Sequence, residues 1–471
     1  MTPPRPAHAY RWMIAAAFLA AVAVRFGGLT RESLWLDEGW TLRLSAGGPG
    51  DVVRACAQDV HPPLYFLLFA AWTKALGTSD VAMRALSAVL GVLAVVATAG
   101  MARRLVGPRA ALVATWIAAL SPLLVRYAQD ARPYALLVVL ATTSSWAFAA
   151  YAHAPSRTRW LVWLVPSVLL PWTHVLGAST LLAQAVCVAL VRGRGGRSRY
   201  APVLPVLGGL ALVALAFLPW IGRALDANER WAGYEGATAV EAWRALVQVV
   251  GTRGGLGVLL LAAAWGGVSR AGLRSPRIRR PRLAVAGLLA AIPFAVPLAA
   301  TWTGRSVFAP RLAIASVPPF AALLAAGLVA AWFQARGARA RRGLPLLAGL
   351  VALVVVPGLL QAVRRVDNED WRGAAAELAA RAAPDDLVLA DGDVPALLLR
   401  HYLPGDRPVV EPFDLSRPSF PPAATAGRRL WVVSSQHTTE AEPKRLRLLR
   451  QHWNVDTARV LHGTVVRLYR R

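Results

Sequence analysis

Eleven apolar stretches, each near the length that crosses a bilayer, recur between residues 11 and 361 of this 471-residue chain. A hydrocarbon core about 30 Å thick takes roughly 20 helical residues. Inside it every backbone N–H and C=O must be bonded internally, which leaves helices or a closed barrel. Runs rich in Leu, Ala and Val fit helices, and they fall near 11–29, 83–103, 109–127, 134–152, 159–173, 175–191, 201–220, 249–268, 283–302, 312–333 and 344–361. With 56% hydrophobic and only 16% charged residues, the chain reads as an α-helical polytopic membrane protein of about eleven spans, not as several soluble domains.

The connections between these runs sort into two sets. The N-terminus, "ARRLVGPRA", "HAPSRTRW", "RGRGGRSR", "SRAGLRSPRIRRPR" and "QARGARARRG" carry many arginines and no acid. The alternate connections hold every acid of the first 361 residues: Glu32, Asp37, Glu38, Asp51, Asp59, Asp80, Asp130, Asp226, Glu229, Glu235 and Glu241. The excess of Arg and Lys marks the first set as cytoplasmic. The N-terminus is then inside and the C-terminal segment outside. This alternation requires that "HPPLYFLLFAAWTKALG" (61–77) not cross; it is short and opens with Pro62-Pro63, so an interfacial helix is expected, with a short tilted span as the alternative.

The formal charge of +27 lies in short clusters between apolar runs, with no basic stripe interleaved with aromatic platforms, so nucleic acid is not an expected partner. Two cysteines, Cys56 in a polar loop and Cys187 inside an apolar run, imply no disulfide framework. No small-residue cleavage site follows the first apolar run, so a retained first span is expected. After residue 361 acids and prolines become frequent, and "DLVLAD", "RRLWVVSS" and "TVVRLYRR" read as strands around a helical "DWRGAAAELAARAA". The expected division is a transmembrane catalytic domain, 1–361, and a small extracytoplasmic α/β domain, 362–471.

Four groups of polar residues fall on the outer face. Asp37 and Glu38 stand in "SLWLDEGW", framed by Trp35 and Trp40. Carboxylates in partly apolar surroundings can accept a proton from a hydroxyl; the plain alternative is a solvated loop. "RYAQDARPYAL" puts Arg126, Gln129, Asp130 and Arg132 between two apolar runs, where charge must be paired or line a cavity. A local pair of Asp130 with Arg126 or Arg132 would satisfy that on structural grounds alone. His61 and His174 lie in "HPPLY" and "PWTHVLG", as hydrogen-bonded structural histidines or as ligands; their spacing is no metal signature. Arg305 and Arg311, in "TWTGRSVFAPRL", suit a lipid phosphate or simple snorkelling to headgroups. No Gly-rich phosphate loop, Cys/His metal framework or Gly-x-Ser-x-Gly is present, which turns attention from a nucleotide to a lipid-borne substrate.

In order and spacing, "SLWLDEGW", "HPPLYFLLFAAWTKALGTSDVAMRALSAVLG", "ARRLVG" and "SPLLVRYAQDARPYALL" resemble bacterial membrane glycosyltransferases of the GT-C type. The resemblance is to family 39, the relatives of protein O-mannosyltransferases and lipid A aminoarabinose transferases. "PWTHVLG", "RSVFAPRL" and "DNEDWRGAAAELAA" extend it over most of the chain, whereas the last 100 residues match loosely. It implies inverting transfer of a sugar from a polyprenyl-phosphate donor to a hydroxyl acceptor at the outer face of a bacterial cytoplasmic membrane. Mannose is the sugar favoured by family frequency, and the acceptor is protein, lipid or polysaccharide. By the same analogy Asp37 is the general base, Glu38 positions the acceptor or tunes Asp37, and Asp130 belongs to the catalytic set. His61, Tyr65, Arg132, Tyr134, His174, Arg305 and Arg311 make up the substrate-binding set, with the last two near the donor phosphate. No obligatory cofactor is expected; a divalent metal on the acidic pair is the less favoured alternative.

Two readings from other classes compete. A transporter or flippase of a lipid-linked substrate would place charge near the midplane and show repeated halves. A non-catalytic envelope-assembly subunit would depend on residues 362–471 more than on Asp37 and Glu38.

Overall fold

The computed structural model describes residues 6–59, 61–192, 203–229, 238–250, 279–302, 309–336, 349, 351, 355–360, 363–364, 368–390, 392–403, 405, 410–412, 429–435 and 454–470. Contacts divide the chain into two compact units. A membrane unit comprises Met1–Gly28, Gly47–Gly77 and Ala82–Arg364, and a tail unit comprises Leu29–Ala46, Thr78–Val81 and Arg365–Arg471.

The membrane unit is helical among its described residues. Its elements are α1 (Pro6–Phe26), α3 (Pro49–Ala57), α4 (Leu64–Leu76), α5 (Asp80–Leu105), α6 (Pro108–Leu120), α7 (Pro122–Ala128), α8 (Tyr134–His153), α9 (Arg157–Thr173), α10 (Ala178–Arg192), α11 (Val203–Glu229), α12 (Ala239–Val250), α13 (Arg279–Thr301) and α14 (Val317–Arg336); α2 belongs to the tail unit. Segments Asp80–Leu105, Tyr134–His153, Val203–Arg223, Pro281–Thr301 and Pro310–Phe333 are long and apolar enough to cross a membrane, and α6 with α7 makes a sixth if the bent pair is one span. The expected span 249–268 lies almost entirely outside the described residues, as does most of 344–361. Helix α4, with 13 residues, is roughly 20 Å long at 1.5 Å per residue, short of a hydrocarbon core of about 30 Å.

One break shows how the bundle accommodates a fault in its backbone ladder. Pro122 has no N–H to offer Ala118 O, so the helix bends by 52° between α6 and α7. Arg25, fully buried at the end of α1, fills the gap: its guanidinium donates to Ala119 O at 2.8 Å and Ala118 O at 3.1 Å. Gly91 makes the room, since a Cβ there would come within 3.0 Å of the Arg25 side chain. Gln129 in turn donates to Val24 O and Gly27 O, both at 2.8 Å, closing the C-terminal end of α1.

Cys56 departs from its expected place in a polar loop. It is buried in α3, where its i, i+4 spacing from Val52 puts both on one apolar face. Cys56 and Cys187 are both free thiols.

Among the described residues of the tail unit, α2 (Leu36–Leu44), α15 (Trp371–Arg381) and α16 (Asp393–Tyr402) accompany a five-stranded sheet. Its strands are β1 (Leu387–Ala390), β2 (Val410–Pro412), β3 (Leu430–Ser435), β4 (Asn454–Leu461) and β5 (Thr464–Arg470), in spatial order β2-β1-β3-β5-β4. β1 runs parallel to β2 and β3, while β5 is antiparallel to β3 and β4. The buried Asp386 anchors the start of β1, accepting from Arg429 at 2.8 and 3.0 Å, Trp431 Nε1 at 2.7 Å and the Ala383 N–H at 2.8 Å. Burial pushes this carboxyl's pKa up, but those donors outweigh it and hold it below the usual range. The β4–β5 hairpin turns at Gly463, whose φ of +64° is open to glycine at little cost, and a Cβ there would strike Glu369.

Candidate functional site

The sequence-derived residues divide between the two units. His61, Tyr65, Asp130, Arg132, Tyr134, His174 and Arg311 belong to the membrane unit, Asp37 and Glu38 belong to the tail unit, and Arg305 lies outside the described residues.

In the membrane unit Pro133 ends the connection after α7 and starts α8 at Tyr134, so residues 129–133 form a tight turn. Asp130 and Arg132 are almost fully buried in it, at 3% and 4% exposure, a depth at which charges must find partners. Arg126, one helical turn before Asp130, brings Nε to 3.9 Å from its carboxylate. Arg132 instead reaches His61, with 3.1 Å between its terminal nitrogen and the ring Nε2.

Guanidinium cannot accept a hydrogen bond, so His61 Nε2 is the acceptor and the ring proton resides on Nδ1. That proton faces Asp59 Oδ1 at 2.6 Å, and the same oxygen accepts the His61 N–H at 3.2 Å. Asp59, His61 and Arg132 thus form a relay of fixed polarity: anion, neutral ring, cation. Pro62 and Pro63 set the entry to α4, whose buried Tyr65 has its hydroxyl 3.0 Å from Ser87 Oγ; Ser87 bonds on to Arg132 O at 3.4 Å.

Aromatic rings surround this relay. His174, on the turn between α9 and α10, lies 6.4 Å from His61 and 5.9 Å from Tyr134, and Tyr134 meets Tyr127 at 4.9 Å. His174 Nδ1 accepts the Leu176 N–H at 3.2 Å, leaving Nε2 to carry the proton of a neutral ring. Burial, then the electrostatic influence of His61 and the positive charges of Arg132 and Arg311, push its pKa down to about 3. The 3-10 helix Pro310–Ser316 packs on α7 and α8, which carries Arg311 within electrostatic reach of His174. The membrane unit therefore gathers an aromatic-walled polar cluster at one end of its spans, in which Arg126, Arg132 and Arg311 accompany Asp59 and Asp130. Among the described residues no three metal-ligating side chains come together, and Arg132 already engages His61 Nε2.

In the tail unit Asp37 and Glu38 occupy the first turn of α2, where unpaired N–H groups and the helix dipole favour anions. Adjacent helical residues point about 100° apart, so the two acids differ. Glu38 is fully buried and its Oε2 accepts the Trp35 N–H at 3.3 Å, the reach-back of a helix N-terminus. Asp37 stays half-buried.

The segment before them is fastened to residues far along the chain. Ser33 Oγ donates to Glu369 O at 2.5 Å and accepts the Trp371 N–H at 3.2 Å, while Asn368 Nδ2 donates to Ser33 O at 3.2 Å. The Leu36 N–H donates to Glu369 Oε2 at 3.2 Å, and the Leu34 N–H to Tyr402 Oη at 2.7 Å. Asp80 accepts from Tyr402 Oη at 2.9 Å and Arg372 at 2.6 Å, and faces His401 Nε2 at 3.0 Å. Gly39 lets α2 lie against α16: a Cβ there would fall 2.5 Å from Val394 Cγ1.

Sequence reasoning missed Asp59, Ser87, Asn368, Glu369 and Tyr402 as members of these networks. Asp59 and Ser87 had signals, as an acid two residues from a histidine and a hydroxyl within an otherwise apolar run. Glu369 and Tyr402 had none short of knowing the tertiary pairing.

A family model described as dolichyl-phosphate-mannose-protein mannosyltransferase matches residues 60–222. Two crystal structures of ArnT from Cupriavidus metallidurans, one bound to undecaprenyl phosphate and one in the apo state, share 16% and 17% identity. The first alignment covers 96% of this chain and 97% of that one, the second 98% of each, both with a TM-score of 0.62. The oligosaccharyltransferase of Archaeoglobus fulgidus aligns over 97% of this chain and 72% of its own, with 14% identity and a TM-score of 0.51. No curated protein sequence matches. The fold is thus that of multi-pass GT-C membrane proteins. The family model covers residues 60–222, about a third of the chain, and the structural matches, at 17% identity or less, speak for the fold.

Proposed function

We propose that the protein transfers a sugar from a polyprenyl-phosphate donor to a hydroxyl acceptor, with inversion, at the outer face of a bacterial cytoplasmic membrane. The observation that carries this reading is the unequal treatment of two adjacent acids: Glu38 is buried and tied to Trp35, and Asp37 is left reachable on a firmly held helix turn. A general base needs that combination of access and fixed position.

Asp37 accepts the proton of the attacking hydroxyl as its oxygen bonds to the anomeric carbon. The bond from that carbon to the phosphate oxygen breaks, and polyprenyl phosphate leaves with the bonding electrons. Its developing charge calls for cations in a partly dehydrated setting, a role that suits Arg132 and Arg311, with Arg305 as the further candidate. Asp130 and His61 keep Arg132 in place, and Tyr65, Tyr134 and His174 furnish apolar and hydrogen-bonding surface for sugar or lipid. The structure of ArnT with undecaprenyl phosphate supports a polyprenyl carrier, and the matched family model favours mannose among sugars. The segregation of acids and arginines in the sequence supports the outer-face assignment.

The test is complementation of a deletion strain, read by mass spectrometry of envelope glycans and lipid-linked sugars. The strain should lack one glycan residue and accumulate one lipid-linked donor, and wild-type protein should restore both. Asp37→Asn should insert normally yet lose transfer by about 10²–10⁴-fold, the worth of a general base. Full restoration by Asp37→Asn would refute the assignment.

A further inference from the structure

At the other end of the spans the membrane unit contains a second polar concentration that the transfer reaction does not use. Helix α8 starts at Tyr134, in the cluster described above, and ends 20 residues later at His153, about 30 Å away at 1.5 Å per residue. Beside His153 a cavity of about 540 Å³ opens between α1, α5, α8 and α13. Tyr10, Arg103, Arg104, Trp146, His153 and Arg282 line it, together with apolar side chains and no carboxylate.

Arginines near a membrane surface are ordinarily explained by orientation alone. Three features go beyond that. Arg103, Arg104 and Arg282 come from two helices distant in sequence and converge on one hollow. Arg104 Nε is buried, with no hydrogen-bond partner among the described residues. The indole of Trp146 is pressed against Gly100, where a Cβ would come within 2.7 Å of the ring, so the aromatic wall is built and held. Three cations around a partly apolar hollow, with no acid to balance them, fit an anion that carries its own hydrocarbon.

We infer that this cavity binds the phosphate headgroup of an anionic glycerophospholipid, its acyl chain lying along the apolar wall. The inference does not depend on the proposed transferase activity. Arg104 and Arg282 grip the phosphate, Arg103 adds charge at the rim, and Trp146 covers the glycerol region.

The test is native mass spectrometry of the full chain, released from nanodiscs of phosphatidylcholine doped with phosphatidylglycerol. Wild-type protein should retain one phosphatidylglycerol in preference to phosphatidylcholine. Arg104→Gln with Arg282→Gln should weaken that retention about tenfold per arginine, ~1.4 kcal/mol each. Arg157→Gln, which removes an arginine exposed outside the cavity, should leave retention unchanged. Ala152→Trp fills the cavity without touching a charge and should also expel the lipid, which guards against misfolding of the double variant. Equal retention in the double variant, equal loss in Arg157→Gln, or displacement by millimolar inorganic phosphate would overturn the inference, the last by making the site one for a soluble anion.

Discussion

Glu369→Ala tests how the first turn of α2, and with it Asp37, is held. Glu369 is 3% exposed, and its Oε2 receives the N–H of Leu36, the first helical residue and one of the donors that α2 cannot satisfy itself. A hydrogen bond to a charged acceptor contributes about 1.5–3 kcal/mol, and stranding a buried donor costs about 1–3. Leu36 is half-buried, so water can partly replace the lost acceptor. A local destabilisation of about 2 kcal/mol follows, which is roughly 30-fold in an opening equilibrium. Hydrogen exchange of the full chain in nanodiscs, followed in the peptide spanning 33–41, should show the Leu36 amide exchanging about 30-fold faster in Glu369→Ala. Glu369→Gln keeps an oxygen acceptor and should lie within about fivefold of wild type, since a neutral bond is weaker by about 1 kcal/mol. Unchanged exchange in the alanine variant would show that the Ser33, Asn368 and Tyr402 contacts suffice, and would remove Glu369 from the argument.

Three further outcomes follow from the same coordinates. Gly39→Ala would gain about 1 kcal/mol from helix propensity at an open site, but its Cβ would meet Val394 and Leu398, so a net loss of about 1–2 kcal/mol in thermal unfolding is expected. Asp386→Ala strands the Arg429 and Trp431 donors and should destabilise the tail unit by about 3 kcal/mol or more, seen as rapid limited proteolysis after residue 364. Its wild-type carboxyl has a depressed pKa, so that stabilisation is present above about pH 4 and is lost as pH falls further. His174 stays neutral in the folded state down to about pH 3, whereas an unfolded histidine takes a proton near pH 6.5. The unfolded chain therefore binds the extra proton between those values, and stability should fall on acidification by up to about 1.4 kcal/mol per pH unit, discounted for partial exposure. His174→Asn should flatten that part of the stability–pH curve.

What the sequence disclosed followed the range of the physics involved. Long apolar runs report their own burial, so α5, α8 and α13 lie within a few residues of where hydropathy placed them, while α11 runs nine residues beyond its expected end at 220. Strand β3 falls on "RRLWVVSS" and β5 on "TVVRLYRR" because short runs rich in β-branched residues carry a local signal. Cys56 was misplaced because four charged or polar neighbours concealed a two-residue apolar face on α3. Arg25 sits within the first apolar run with no local signal of its role; its partners became available only because Pro122 breaks a helix almost a hundred residues later. Asp130 was legible as a costly charge needing a partner, and only coordinates could show Arg126 at 3.9 Å from its carboxylate and Arg132 reaching His61.

Helical geometry separates the fates of Asp37 and Glu38 before any substrate is considered. The second and third positions of a helix differ by about 100° in direction and in reach. A glutamate at the third position has the length to return to the N-cap N–H, as Glu38 does at Trp35. An aspartate at the second position has neither the length nor the direction for that bond, and Asp37 stays half-buried. The glycine that follows lets α2 settle on α16, and Asn368 and Glu369 secure the residues in front. Four consecutive letters, LDEG, thereby specify a helix start, an internal cap, a close packing contact and one reachable carboxylate. A hydrogen-bond acceptor at position 38 is thus what the turn requires, and under the proposed function the base is left to Asp37.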